Sequence, residues 1–190
     1  MLHLLSQEYF KDGRGIGKVL EFTGPGTSAL PLDERATLTN MSVEAGGFTG
    51  IIEADEVVVD YLVKQRGLDA DAVRALIVRA DEGASYMATF DVDLATLEPM
   101  VATPGDPRNG VPLRSLGATN GGGEVKINIA YGGSCTGGKK ADMDMYASVL
   151  RTALAHGKRV ADGVHLYIQF GSQDIRRYAE AQGYLEIFEK

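Results

Sequence analysis

The 190-residue sequence holds a single cysteine, Cys135, so no disulfide can form within the chain. A lone thiol fits a reducing compartment, and the cytoplasm is the expected location. Basic charge is not in excess: 19 Lys and Arg stand against 26 Asp and Glu, for a formal net charge of −7. No basic patch stands out, which argues against a nucleic-acid partner. No apolar run approaches the roughly 20 residues that a membrane-spanning helix needs, so no membrane partner is expected. The opening segment MLHLLSQEYFKDG has neither a basic start nor a small-residue cleavage site, and does not read as a signal peptide. It reads as the middle of an amphipathic helix, which suggests that Met1 is not the natural start. No internal repeat of regular period is present.

Glycine, by contrast, is abundant: 24 of 190 residues, against a usual share of about 7%. These glycines cluster between hydrophobic elements, where backbone must turn sharply or approach something closely. A composition of 44% hydrophobic and 24% charged residues is that of a globular chain. The length suits one ordinary domain or two small lobes. Residues 1–82 carry 8 basic against 14 acidic side chains, and residues 83–190 carry 11 against 12. This asymmetry places a boundary near Asp81–Gly83.

Hydrophobic period and capping signals predict the elements. Helices are expected over Leu2–Lys11, from Asp33 to a glycine stop at Gly46-Gly47, over Ala54–Gln65, over Asp69–Arg79 with Asp69 as N-cap, and over Lys139–His156. Another follows Ser172 through DIRRYAEAQG, and YLEIFEK begins a last one. Strands are expected in GKVLEFTG (17–24), FTGII (48–52), ASYMATFDVDL (84–94), VKINIAYGG (125–133) and VHLYIQFG (164–171). Residues 98–123 hold four of the six prolines and read as irregular. Strands alternating with helices make an α/β protein with at least partly parallel sheets.

The cysteine lies in YGGSCTGGKKADM, between a strand and a helix. Four of the six residues flanking Ser134, Cys135 and Thr136 are glycine. In α/β sheets ligands sit at such strand-to-helix turns. Two readings of the thiol remain open on this pattern: a small buried side chain in a tight turn, or a group held out to bind something. The loop does not match a phosphate-binding GxxxxGK[ST] pattern. A cysteine nucleophile would lack a nearby base.

Five blocks in order carry a resemblance to the aconitase and 3-isopropylmalate dehydratase superfamily. GGSCTGGKK resembles the family's GSCTN segment and following helix. ERATLTNMSVEAGGFTG is similar to its Asn-Met-x-x-Glu stretch, and GKVLEFTGPG to the strand and turn before it. DVDLATLEPMVATPGDPRNGVPL resembles its Pro-rich region, and FGSQDIRRYAEAQGYLEIFEK its Pro-Gly-Ser segment and helix.

The resemblance implies two αβα lobes of the aconitase type with mixed, partly parallel sheets. Residues 1–82 would correspond to the family's second domain, and residues 83–190 to part of its third. It implies a hydro-lyase that isomerises a hydroxy di- or tricarboxylic acid by dehydration and rehydration, with a [4Fe–4S] cluster as Lewis acid. Cys135 is then the first of three cluster thiolates, serving as both cofactor-binding and metal-ligating residue. Asn40 and Glu44 are the catalytic candidates, four apart on one helix face, and all three residues are expected to face one cleft. The glycines around Cys135 would make room for the cluster, leaving residues 132–138 exposed and mobile without it.

The family's Asn after Cys-Thr is Gly137 here, which removes a donor beside the cysteine, and Lys139 stands for a basic residue that follows. His3, His156 and His165 match no family motif and read as surface or packing residues. Arg176 and Arg177 read as a solvated face. The other two cluster cysteines, the first domain and the swivelling domain lie outside this sequence. The expected partners are therefore a small hydroxy acid and the missing domains or a small subunit, with the 190 residues alone inactive and free of cluster. The branch favoured is the isopropylmalate or homoaconitate one. The competing reading is a stand-alone, non-catalytic binding or scaffold module derived from the family.

Overall fold

The structure, a computed structural model, describes residues 1–119 and 122–190. It divides into two compact units, Met1–Thr119 and Asn120–Lys190.

In the first unit, α1 (Leu2–Leu5) and α2 (Glu8–Lys11) replace the single expected helix. Gln7 between them is extended at φ −66° and ψ 143°. The Ser6 hydroxyl donates to the His3 carbonyl at 2.8 Å, offering the backbone a local alternative to continued helix. Leu5 and Phe10 are buried with Ala45, and Tyr9, Leu20 and Met41 pack around them.

The parallel strands β1 (Val19–Phe22) and β2 (Thr49–Ile52) pair with Val19 opposite Thr49 and Phe22 opposite Ile52. Their crossover contains α3 (Pro25–Ser28) and α4 (Leu32–Asn40), as a parallel pair requires. After β2 come α5 (Glu56–Arg66) and α6 (Ala70–Ala75). Asp55 caps α5 by accepting from the Val57 N–H at 3.0 Å, and Asp69 caps α6 through Ala72 at 2.9 Å. Gly67 closes α5 in the left-handed conformation, φ 66°. α6 stops at Ala75, short of the expected Arg79.

No strand forms over residues 84–94, where one was expected. Side chains hold this stretch instead of a ladder. The Tyr86 hydroxyl donates to Glu21 Oε2 at 3.0 Å, and the Phe90 ring meets Tyr9 and Phe10 at 5.1 and 5.4 Å. Strands β3 (Met100–Ala102) and β4 (Gly110–Pro112) then pair antiparallel, and α7 (Leu116–Thr119) follows. Arg108 donates to the Phe10 carbonyl at 3.3 Å. These contacts tie residues 83–119 to the N-terminal helices, so the compact units divide after Thr119 and not near residue 82. The change in charge that suggested residue 82 has no bearing on where rings pack.

The second unit runs β5 (Ile129–Gly133), α8 (Ser134–Gly137), α9 (Lys140–Ala155), β6 (His165–Gln169), α10 (Gln173–Ala181) and α11 (Leu185–Phe188). β5 and β6 are parallel, with Ile129 opposite His165 and Gly133 opposite Gln169. Met143 and Ala147 of α9 and Ala179 of α10 are its buried apolar side chains. Asp144 Oδ1 accepts from the Tyr178 and Tyr184 hydroxyls at 2.9 and 2.8 Å, fastening α10 and α11 to α9. That hydrogen bond, more than any other cause, pushes the Tyr178 pKa up to about 12. The class is α/β, with small parallel and antiparallel sheets.

Arg35 is the buried charge of the first unit, 3% exposed. Its guanidinium donates to both Asp55 oxygens at 2.7 and 2.9 Å, to the Leu30 carbonyl at 2.9 Å and to the Ser28 carbonyl at 3.2 Å. The Arg35 hydrogen bond, first among the causes, holds the Asp55 carboxyl below its ordinary pKa. A depressed carboxylate contributes stability that is present above its unfolded-state pKa and is lost as pH falls through the folded value. Asp55→Asn is therefore expected to cost about 3 kcal/mol near neutrality, because it leaves a buried guanidinium unpaired. It should also flatten the loss of stability between neutral and acidic pH. Urea unfolding of both proteins across that range is the check.

Candidate functional site

Two turns carry the predicted residues, one in each unit. The first follows α4. That helix ends at Asn40, with Met41 as its C-cap, and does not reach Gly46 as expected. Hydroxyls drain it. Thr39 Oγ1 bonds back to the Arg35 and Ala36 carbonyls at 3.3 and 3.1 Å, and Ser42 Oγ to Leu38 at 3.3 Å. The chain then runs through short turns, with the Ser42 N–H on the Thr39 carbonyl at 3.2 Å and the Gly46 N–H on Val43 at 2.8 Å. Asn40 and Glu44 consequently do not share the face of one helix. Asn40 is its last residue and Glu44 sits in the turn beyond, both half-buried.

This turn is stitched to the segment that leads into β1. The Gly17 N–H donates to the Gly46 carbonyl at 2.9 Å, and Gly47 returns to the Ser42 carbonyl at 2.9 Å. Gly15 approaches so closely that a Cβ there would stand 2.5 Å from the Ala45 carbonyl oxygen. Within this fixed frame, Glu44 Oε2 is buried and has no hydrogen-bond partner. Buried polar atoms are nearly always paired, so an orphaned carboxylate oxygen marks a place where something else belongs.

The second turn holds Cys135, which is exposed. It follows Ser134, the one non-glycine residue with positive φ among the described residues, at 67°. Only part of the exposure expected for residues 132–138 is present. Gly138 is buried, and its neighbours other than Cys135 are half-buried. The glycines are explained by backbone packing. A Cβ on Gly133, φ 127°, would stand 2.0 Å from the Gln169 carbonyl oxygen, and one on Gly138 would stand 2.6 Å from the Gly171 nitrogen. The Gly171 N–H in fact donates to the Gly138 carbonyl at 2.8 Å.

Two α9 side chains hold the same turn. Lys139 Nζ donates to the Thr136 carbonyl and pairs with Asp142 at 2.9 Å, while Asp142 accepts from the Lys139 N–H at 2.9 Å. The Tyr146 hydroxyl donates to the Gly137 carbonyl at 2.8 Å. Burial, the largest cause, raises the Tyr146 pKa above its ordinary value, so the phenol keeps its proton. Sequence reasoning missed Tyr146. The available signal was its spacing of seven from Lys139, two helical turns along one face. Beside this turn, at the carboxyl ends of β5 and β6, Tyr131, Tyr167, Gln169, Ser172 and Arg176 line an open cleft of about 610 Å³. Such strand ends are where α/β sheets take ligands.

Asn40 and Glu44 belong to the first unit and Cys135 to the second. Arg176 and Arg177 are exposed and pair with Glu180 and Asp174, as expected of a solvated face. His156 and His165 are likewise exposed. No helix among the described residues is long and apolar enough to cross a membrane.

The model of the aconitase family (aconitate hydratase) matches residues 1–190, and the chain belongs to that family. The resemblance carried by the five sequence blocks is thereby borne out. Among its relatives is the 3-isopropylmalate dehydratase large subunit 2 of Rubrobacter xylanophilus, 37% identical over 176 residues, which cover 93% of this chain and 38% of that protein. The 3-isopropylmalate dehydratase large subunit 1 of Pyrococcus furiosus is 39% identical over 172 residues, 90% of this chain and 37% of that protein. The large subunit of Campylobacter concisus is 34% identical over 171 residues, with coverages of 90% and 38%. The chain thus spans little more than a third of the length of these curated relatives.

A [4Fe–4S] cluster is held by several cysteine thiolates. This chain has one, and among the described residues no three His, Cys, Asp or Glu side chains are grouped to hold a metal ion. On its own donor set the chain does not fit the cluster.

The packing of the second turn can be tested directly. Gly133→Ala is expected to destabilise by about 3 kcal/mol or more, since backbone must move to admit the methyl. Gly163→Ala has positive φ but open space around it, and should cost about 1 kcal/mol. Thermal unfolding of the two variants against the parent gives the comparison.

Proposed function

We propose that the chain is a portion of an iron–sulfur hydro-lyase that moves a hydroxyl between adjacent carbons of a hydroxy di- or tricarboxylic acid. Asn40 and Glu44 are its substrate-handling side chains, and Cys135 is one thiolate ligand of a cluster whose other ligands come from outside these 190 residues. The observation that carries this reading is the buried, unpartnered Oε2 of Glu44, in a chain of the aconitase family.

The chemistry needs such a group. Dehydration removes a proton from one carbon and a hydroxyl from its neighbour as water, and rehydration returns water with the positions exchanged. An oxygen that leaves as water must gain a proton, and one that adds must lose it. Glu44 Oε2 can hold or accept that proton, and a desolvated carboxyl does so with little reorganisation. The Asn40 amide can both donate to a substrate carboxylate and accept from a hydroxyl. The relatives' names favour 3-isopropylmalate over citrate or homocitrate, and a large subunit implies a small-subunit partner. The cytoplasm remains the proposed location.

The test is kinetic, in the complete enzyme that contains this chain together with its small subunit. Glu44→Gln should lower kcat by about 10²- to 10⁴-fold, the range for loss of a positioned acid–base group. Asn40→Ala should act mainly on KM. Unchanged kcat in Glu44→Gln would overturn the assignment. The second reading is a non-catalytic binding or scaffold module. That reading gains if the complete protein binds the hydroxy acid by calorimetry but turns none over.

The 190 residues alone should be inactive and should assemble no stoichiometric cluster within a monomer. Anaerobic reconstitution followed by iron and sulfide analysis tests this, and one cluster per monomer would refute it.

A further inference from the structure

The Cys135 turn is gripped from one side by a residue that neither the family match nor the sequence motifs single out. The Tyr146 hydroxyl donates to the Gly137 carbonyl at 2.8 Å. The same hydroxyl stands 2.9 Å from where a Cβ on Gly137 would be, and the ring stands 3.2 Å from where a Cβ on Gly132 would be. Tyr146 therefore fills the space that side chains at 132 and 137 would occupy, on both sides of Ser134-Cys135-Thr136. One carbonyl earlier, Lys139 Nζ bonds to Thr136 and is itself held by Asp142 at 2.9 Å. Consecutive carbonyls of the turn are thus tied to Lys139, the residue that caps α9, and to Tyr146 within it.

We infer that Tyr146 is a positioning residue for Cys135: its hydroxyl and ring fix the Ser134–Gly137 turn, and Gly137 is glycine because Tyr146 occupies the room a side chain there would need. The inference rests on the reading of Cys135 as a functional thiol. It supplies a reason for the glycine at 137, where the resembling motif has an asparagine: the Tyr146 hydroxyl stands where the side chain would begin.

The two halves of the inference make separate demands. If the hydroxyl holds the turn, Tyr146→Phe frees the Gly137 carbonyl while keeping the ring. If Tyr146 and Gly137 share one volume, Gly137→Ala clashes with the hydroxyl, and the clash vanishes when Tyr146→Ala is added. A loosened turn also frees the Thr136 carbonyl, which Lys139 Nζ holds, and with it the backbone on which Cys135 sits.

The experiment uses the 190-residue chain and iodoacetamide, with no cluster or substrate, so it reads the turn whether or not the hydro-lyase assignment stands. Alkylation of Cys135 is followed as a rate at one fixed pH, and amide hydrogen exchange is followed over residues 132–138. Tyr146→Phe should change that rate and lower protection of that segment about fivefold, the fold-change of one neutral hydrogen bond. Protection of β1 and β2 should not change. Gly137→Ala should disturb both readouts in the parent and neither in a Tyr146→Ala background. Two results would overturn the inference: an unchanged alkylation rate with unchanged protection in Tyr146→Phe, or an equal effect of Gly137→Ala in both backgrounds. Global unfolding of Tyr146→Ala would leave the Tyr146→Phe comparison to decide. Failure of the kinetic test on Glu44 would count against the hydro-lyase reading and leave these outcomes unaffected.

Discussion

The first unit is organised by one guanidinium. Arg35 sits mid-helix in α4, and its donors reach backward to Ser28 and Leu30 and across to Asp55. Asp55 meanwhile caps α5. One side chain therefore joins the loop before α4, the helix itself and the start of the helix after β2. Ion pairs of this kind contribute little net stability, because desolvation offsets the attraction. What they set is geometry, since a guanidinium fork accepts few arrangements of its three partners. The orientation of α4, and through it the turn that carries Asn40 and Glu44, follows from that fork.

The second unit reaches a comparable rigidity by other means. It has few buried apolar side chains, and the strand-to-helix turn is fixed by backbone pressed against backbone. Gly133 and Gly138 lie too close to Gln169 and Gly171 for any Cβ. This revises the reason for the bare loop. Room for a bulky ligand was one explanation, and it would have left the segment open. Gly133 and Gly138 are used up by contact with the end of β6 and the residues after it, Gly132 and Gly137 by contact with Tyr146, and the exposed Cys135 is what the packed turn leaves outside.

Local signals were legible where they act within a few residues. The Asp69 and Ser172 caps, helix α9 and strands β1, β2, β5 and β6 all stand near their expected places. Expectations failed where distant partners decide. Residues 84–94 have strand-like residues but find no strand to pair with, and rings hold them instead. Helix α4 was drawn too long because hydroxyl back-bonds at Thr39 and Ser42 compete with the helical ladder. The site showed the same split. Cys135, Asn40 and Glu44 could be nominated by their motifs, whereas Tyr146 acts across nine residues of chain, and its one mark in the sequence is a spacing of seven from Lys139.

Glu44 marks the limit of an account built on stability alone. Arg35 places four hydrogen bonds on acceptors, Asp144 serves two tyrosines, and Asp142 accepts from the Lys139 N–H. Against that background a carboxylate oxygen buried without a partner is a cost of about 1–3 kcal/mol that packing does not recover. The turn around it is bonded to Gly17 on one side and folded onto Ser42 on the other. A buried acceptor in so closely bonded a turn is the feature on which the proposed role of Glu44 rests.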